Sequence, residues 1–215
     1  MLMNSYVPGT PEWFGQVQEE VVDPARRIVD PHHHLWPIGG SLRYGLDQLH
    51  DDARAGHLIE QTVFIECGAS YRTDGPAHLA SVGETEFVAG ESLRDPTHLI
   101  SGIVAHADLS RDDLNDILDA HTQASHGLLR GIRDALARAD HPEVLAIPGG
   151  ATKDLYKNAN FRRGVATLGT RGLTYDSWHY HYQNSEFLEL ARAVPSTTMV
   201  LDHFGTPLGV GPYAS

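Results

Sequence analysis

The chain has 215 residues, enough for one large domain, and its 28 acidic against 16 basic side chains give a net charge of −12. This acidity argues against a nonspecific nucleic-acid binder and against docking on anionic lipid, because both need a basic surface. A single cysteine and the lack of a long apolar stretch argue against a disulfide scaffold and a membrane span, so we expect a cytoplasmic protein without nucleic-acid or membrane partners.

Residues 1–26 are rich in Pro, Gly and Glu and show no periodicity, so we predict an extended lead-in before a domain over residues 27–215. Six short runs rich in Val, Ile and Leu follow, and most of them do not alternate between apolar and polar residues. This pattern is typical of strands covered on both faces in a parallel sheet. The predicted strands cover residues 27–30, 61–66, 99–104, 128–133, 172–176 and 198–202.

Amphipathic stretches between these runs predict helices that begin at Ser110 and Asn160 and a third helix around residues 187–194. The regions 46–56 and 82–94 predict two further helices. Strands that alternate with helices indicate right-handed crossovers and an α/β fold. The spacing of the strands favours a TIM-type (β/α)8 barrel that is incomplete, with about six parallel strands, over an open six-stranded sheet.

Residues 30–36, with the sequence DPHHHLW, directly follow the first predicted strand. Side chains of an extended segment alternate, so His32 and His34 point one way and His33 points the other. At the carboxyl end of a barrel strand, both imidazoles can face the barrel mouth, where active sites lie in this architecture. Such a pair can bind Zn²⁺ or a similar ion, or hold and polarise a substrate oxygen. An exposed loop with chance histidines is the alternative interpretation.

The same segment resembles the Asp-x-His-x-His motif that opens the barrel in the amidohydrolase superfamily. More narrowly, it is similar to the amidohydrolase-2 group, which includes lactonases of pyrone dicarboxylate and of sugars. The resemblance runs from about residue 28 to the end of the chain. Three further segments agree with it: residues 64–68 (FIECG), 130–133 (RGIR) and 201–207 (LDHFGTP).

The resemblance implies a catalytic group of His32, His34 and His203, with His32 and His34 as metal ligands in metal-dependent members. It also implies that Arg133 holds a substrate carboxylate or lactone oxygen, since a guanidinium pairs with two oxygens. A surface ion pair is the alternative for Arg133. In the family, an Asp from the last barrel strand acts as general base, and none of the six predicted strands corresponds to that strand. Asp202 is expected to alternate away from His203 and to be a poor replacement.

Three further candidate substrate ligands lie at or just beyond the ends of predicted strands: Glu66, His106 and His181. A hydrogen bond that orients another side chain is the alternative role for Glu66 and His106. His179 and His181 share a face after the fifth strand, and the resemblance implies that one of them is a metal ligand in metal-binding members. The alternative is that the aromatic residues around them form an apolar wall. The remaining histidines, His121 among them, are expected to lie at the surface.

These residues, together with the resemblance, predict a hydrolase of the amidohydrolase type in which water attacks a lactone or a related carboxylate-bearing cyclic ester. One divalent metal ion, zinc or manganese, is the candidate cofactor, and a metal-independent reaction is the alternative. A metal-dependent decarboxylase on the same scaffold and an inactive fragment or binding-only protein are the alternative functions. The expected partner is a small-molecule substrate, a carboxylate-bearing lactone. A homo-oligomer is an alternative to a monomer.

Overall fold

The computed structural model describes residues 10–214. The first nine residues of the predicted lead-in and Ser215 therefore lie outside the described residues. The described part of the lead-in contains one helical turn, α1 (Pro11–Phe14), followed by irregular chain that is mostly exposed up to residue 26. The extent of the lead-in as a separate segment stays a prediction.

Six parallel strands form one sheet in the order of the sequence, and each strand is hydrogen-bonded to the next. The strands are β1 (Arg27–His33), β2 (Leu58–Ile65), β3 (Ile100–His106), β4 (Leu129–Arg133), β5 (Thr174–Ser177) and β6 (Met199–Leu201). The sheet curls into a half-barrel, which confirms the predicted incomplete TIM-type barrel. All six predicted strands are present, and only their ends differ.

Five longer helices follow the lead-in, and each connects two consecutive strands. They are α2 (Leu46–Ala53), α3 (Val82–Arg94), α4 (Leu114–Ala124), α5 (Ala159–Thr170) and α6 (Asn184–Ala193). Short 3₁₀ turns occupy Ala77–Leu79, Pro142–Val144, Leu155–Lys157, His181–Gln183, Asp202–Gly205 and Gly211–Tyr213. Within residues 10–214, no helix has the length and apolar character that crossing a bilayer requires.

Two helices begin at residues other than those predicted. The hydroxyl of Ser110 donates to the Asp108 carboxylate at 2.5 Å, so it closes a local turn, and α4 starts four residues later. The N-cap of α5 is Asn158, whose side-chain oxygen accepts the amide protons of residues 160 and 161 at 2.8 and 3.1 Å. Competition between nearby polar side chains therefore decides where each helix begins.

The hydrophobic core lies between the sheet and the helices. It joins strand residues to helix residues that are at most 1% exposed: Phe64, Ile103, Ile132 and Tyr175 from the sheet, and Val88, Leu118, Val165 and Leu190 from the helices. The edge strands are less covered, since Val29 on β1 is 53% exposed and Val200 on β6 is 39% exposed. The best-packed strands are therefore the central ones, and their carboxyl ends form a rigid rim.

Candidate functional site

The carboxyl ends of the six strands form one rim, because all the strands run in the same direction. β1 contains His32, and His34 follows it directly. His106 and Arg133 end neighbouring strands and are Cα partners in the sheet register. The residues that sequence analysis chose from separate strands therefore lie along the same edge of the sheet.

Three imidazoles meet at this rim, and we call His32, His34 and His203 the histidine cluster. The ring centroid of His32 lies 5.0 Å from that of His34 and 4.7 Å from that of His203. His34 Nδ1 donates to the Ile65 carbonyl at 2.7 Å, so its Nε2 carries a lone pair while the ring is neutral. His32 Nε2 is buried and has no hydrogen-bond partner among residues 10–214. Two ring nitrogens of the cluster are thus available to a ligand.

Burial keeps His32 and His34 uncharged. It is the main cause that lowers the pKa of His32 to about 3, and the positive charges of His34 and Arg133 add to it. Burial also lowers the pKa of His34. Both imidazoles are therefore neutral at pH 7, as a metal ligand must be. A pKa this low makes His32 a poor acceptor of a proton from water and suits it to bind a cation.

The Arg133 guanidinium lies between two carboxylates, and we call Arg133, Glu66 and Asp202 the arginine clamp. Arg133 Nε donates to Glu66 Oε1 at 2.8 Å, one Nη donates to Asp202 Oδ2 at 3.3 Å, and the other donates to the Glu66 carbonyl. All three side chains are nearly buried, so this is not the surface ion pair that the sequence left as an alternative. These three hydrogen bonds leave two of the five N–H donors of Arg133 without a partner among residues 10–214.

Asp202 faces the clamp, and the expectation that it would alternate away from His203 is wrong. β6 ends at Leu201, and the next residues form a 3₁₀ turn in which His203 has a φ of +50°, so strand alternation no longer applies. Asp202 therefore contacts Arg133 while the neighbouring His203 packs against His32. Burial raises the pKa of Asp202, although Arg133 opposes this shift.

His106 and His181 each use one ring nitrogen to hold the backbone. His106 Nδ1 donates to the Arg133 carbonyl at 3.1 Å, and its ring stacks on Tyr71 beside a cavity of 230 Å³. His181 Nδ1 accepts the amide proton of Leu208 at 3.3 Å. These contacts orient neighbouring segments of the rim. The substrate-binding roles of His106, His181 and Glu66 stay predictions.

His179 follows β5 and is fully buried. Its Nδ1 lies 2.7 Å from the Tyr156 hydroxyl and 2.8 Å from the Ser177 hydroxyl, and its Nε2 lies 2.9 Å from Asn184 Oδ1. Both ring nitrogens are therefore engaged. The structure leaves His179 no nitrogen with which to bind a metal ion.

His121 is fully buried between α3 and α4, and the expectation that it lies at the surface is wrong. Its Nδ1 lies 2.8 Å from Thr85 Oγ1, and its Nε2 lies 3.0 Å from the His106 carbonyl and 3.3 Å from Ser81 Oγ. Burial lowers its pKa to about 4. His121 thus supports the backbone of the strand that ends at His106.

Asp176 is a buried acidic residue of the rim that sequence analysis missed. It ends the fifth predicted strand and is the Cα partner of both Arg133 and Val200. It accepts a hydrogen bond from Thr174 Oγ1 at 2.8 Å, and burial raises its pKa to about 6. The signal that could have found it is its position at a strand end, the same criterion that selected Glu66.

The donor chemistry of His32 and His34 fits a divalent cation, because an unpartnered buried Nε2 and an Nε2 lone pair are both available. The backbone hydrogen bond of His34 is the kind of contact that orients imidazole ligands of metal ions. Across residues 10–214, no group of three or more His, Cys, Asp or Glu side chains is placed to hold a metal ion. The fit therefore extends to two imidazole ligands.

No protein-family model matches the chain. Among curated proteins, the uncharacterised protein y4mH of Sinorhizobium fredii is 29% identical, and the match covers 83% of this chain and 62% of that protein. The chain thus spans about three fifths of the length of this relative.

Solved structures with the same fold include an amidohydrolase from Burkholderia multivorans with bound zinc, with a TM-score of 0.62, 22% identity, and coverage of 83% of this chain and 58% of that one. Amidohydrolase 2 from Bifidobacterium longum subsp. infantis aligns with a TM-score of 0.55 and 18% identity over 87% and 66% of the two chains. A protein described as a 2-pyrone-4,6-dicarboxylic acid hydrolase from Pseudomonas putida aligns with a TM-score of 0.53 and 16% identity over 82% and 57%. The fold is therefore that of the amidohydrolase barrels to which the sequence motifs pointed.

Proposed function

We propose that this chain is a hydrolase of the amidohydrolase type that opens a lactone or a related carboxylate-bearing cyclic ester by attack of water. The observation that carries this proposal is the convergence of His32, His34 and His203 beside Arg133 at one rim of the half-barrel. The shared fold with amidohydrolases and with the protein described as a pyrone-dicarboxylate hydrolase supports the reaction class. The lactone substrate rests on the resemblance of the motifs.

In this proposal, His32 and His34 bind the cation that polarises the substrate carbonyl. Neutral His34 cannot donate from Nε2, because its proton is on Nδ1, and the low pKa of His32 disfavours a charged donor there. Both rings are therefore suited to a cation such as the zinc ion of the Burkholderia multivorans protein. A divalent metal ion in this place would polarise the substrate carbonyl and lower the pKa of a bound water. His203 is exposed and packs against His32, and in this proposal it also contacts the substrate oxygen.

The arginine clamp binds the acid end of the substrate and supplies the base. The two free N–H groups of Arg133 donate to a substrate carboxylate oxygen. We assign Asp202 as the general base that accepts a proton from the attacking water. Its carboxylate is buried beside His203, and its pKa is raised. Asp202 belongs to the described chain, so this assignment needs no residue from outside residues 10–214.

The test is hydrolysis of a lactone panel by the full chain, with zinc, with manganese and after chelation. His32→Asn and His203→Gln should each lower kcat/KM at least about 100-fold, the usual size of a lost electrostatic or acid–base contribution. Asp202→Asn should lower kcat with little change in KM. His57→Asn is the matched control, because His57 is an exposed histidine away from the rim.

Two results would contradict the proposal. One is equal hydrolysis by the parent chain and His32→Asn. The other is no hydrolysis of any lactone under any of the three metal conditions. Lactone binding without turnover would identify a binding-only protein instead.

A further inference from the structure

We propose that the buried side chains around His179 act through Asn184 as a positioning network, which holds the turn at residues 202–206 and so directs His203 toward His32. The effect of this network on catalysis rests on the proposed function, whereas its effect on the position of the His203 ring does not. His179 and Asn184 are positioning residues here, because they act through the backbone of the turn.

The turn after β6 is held in an unusual backbone conformation. His203, Phe204, Gly205 and Thr206 have φ values of +50°, +56°, +71° and +44°, so four consecutive residues are left-handed. Only one of them is a glycine, and a left-handed conformation costs free energy for every other residue type. Such a turn persists only where the surrounding structure holds it in place.

Nothing in the described part of the chain holds the His203 ring by a hydrogen bond, so its position depends on this backbone. The Thr206 amide donates to the His203 carbonyl at 2.9 Å and closes the turn. The ring then reaches His32 at a centroid distance of 4.7 Å. A shift of the turn would therefore move the His203 ring directly.

The chain from the end of β5 to the first residue of α6 contacts the turn at one point and the residues just beyond it at another. Asn184 packs against Gly205 so closely that a Cβ atom on Gly205 would lie 2.2 Å from Asn184 Oδ1. His181 Nδ1 accepts the amide proton of Leu208 just beyond the turn. The first contact leaves no space for a larger residue at position 205 while Asn184 stays in place, and the second holds the chain two residues beyond the turn.

Asn184 is in turn fixed by a fully buried group. His179 Nε2 donates to Asn184 Oδ1 at 2.9 Å, which makes His179 Nδ1 the acceptor for a hydroxyl of Ser177 or Tyr156. The Tyr156 and Ser177 hydroxyls also contact each other. Because His179, Ser177 and Tyr156 are at most 1% exposed, the Asn184 side chain rests on a rigid support although Asn184 itself lies at the surface.

The experiment compares Asn184→Leu with Asn184→Asp in the full chain, using NMR of the histidine rings. The ring signals of His203 and His32 are assigned by loss in His203→Gln and His32→Asn. In Asn184→Leu we expect the His203 signals to shift and the nuclear Overhauser contact between the two rings to disappear. Asn184→Asp keeps the acceptor oxygen, so the contact between the rings should persist.

Thr85→Val is the matched control, because it also removes a buried hydrogen bond to a histidine, His121, and lies away from the turn. It should leave the His203 signals unchanged. Where turnover is measurable, Asn184→Leu should lower kcat more than it changes KM, and Asn184→Asp should restore it.

The inference is overturned if folded Asn184→Leu keeps both the His203 signals and the contact to His32. If that variant does not fold, Ser177→Ala tests the same network from its buried end, and unchanged His203 signals there would overturn it equally. The NMR result needs no turnover. An inactive parent chain would therefore contradict the proposed function while this test still decides the inference.

Discussion

His32 and His121 have similarly lowered pKa values, but they differ in whether their ring nitrogens have hydrogen-bond partners. Burial lowers the pKa of His32 to about 3 and that of His121 to about 4. His121 has partners for both ring nitrogens, namely the hydroxyls of Ser81 and Thr85 and the His106 carbonyl. His32 Nε2 is buried and has no partner within residues 10–214.

The difference shows that a shifted pKa alone does not mark a functional residue. A buried polar group that is fully hydrogen-bonded stabilises the fold, whereas one without a partner costs free energy unless a ligand satisfies it. His121 is therefore a structural residue. His32 has the character of a binding residue, so substitutions at the two sites should differ in how much stability they remove.

His121→Leu should have the largest effect on stability. It leaves two hydroxyls and a carbonyl without their shared partner in a site that is closed to water, and we expect the free energy of unfolding to fall by about 3 kcal/mol. His32→Asn, which removes no hydrogen bond from Nε2, should change it by less than about 1 kcal/mol. Urea denaturation of both variants measures this contrast. Equal losses would mean that hydrogen bonding does not distinguish the two sites.

The pH dependence of stability should show the contribution of His121 at a smaller scale. Because the folded pKa of His121, about 4, lies below its ordinary value of 6.5, its contribution is complete above pH 6.5 and is lost as the pH falls toward 4. Between pH 7 and 4.5 this residue should cost the parent chain about 2 kcal/mol. His32 and His33 act in the same direction, whereas the raised pKa of Asp176 acts in the opposite one.

Comparison with His121→Leu isolates the contribution of this one residue. The variant should be less stable at pH 7 and should lose less stability on acidification than the parent chain. Parallel pH profiles of the two proteins would show that His121 is protonated in the folded state near its ordinary pKa.

The fold was predictable because its strands follow from local composition. Runs of Val, Ile and Leu without alternation located all six strands, and their regular spacing indicated the barrel type. The helix starts were less predictable, because they depend on which of several neighbouring polar side chains bonds to the backbone. Ser110 had a suitable position for a cap, but its hydroxyl donates to Asp108 instead.

The site was predictable where strand geometry governs it and unpredictable where the backbone leaves the strand. Alternation placed His32 and His34 together, since both lie at the end of β1. It failed for Asp202, because the left-handed turn at His203 follows β6 immediately. The burial of His121 had a signal, since it recurs at helical spacing with Leu114 and other apolar residues of α4, but its polarity suggested the surface.

His33 tests whether hydrogen-bond partners decide how much a buried histidine contributes to stability, and its expected effect is the smallest. Its ring packs against Phe64 at 5.8 Å, it is 7% exposed, and neither ring nitrogen has a hydrogen-bond partner of good geometry among residues 10–214, although the nearby Val63 backbone opposes the lowering of its pKa. Burial lowers its pKa to about 4, as for His121. Since His33→Leu removes two unsatisfied polar atoms and keeps an apolar contact with Phe64, the free energy of unfolding should stay unchanged or rise by up to about 1 kcal/mol. Urea denaturation measures this value, and a loss like that of His121→Leu would show that His33 has a polar partner and that partner counting fails as a criterion.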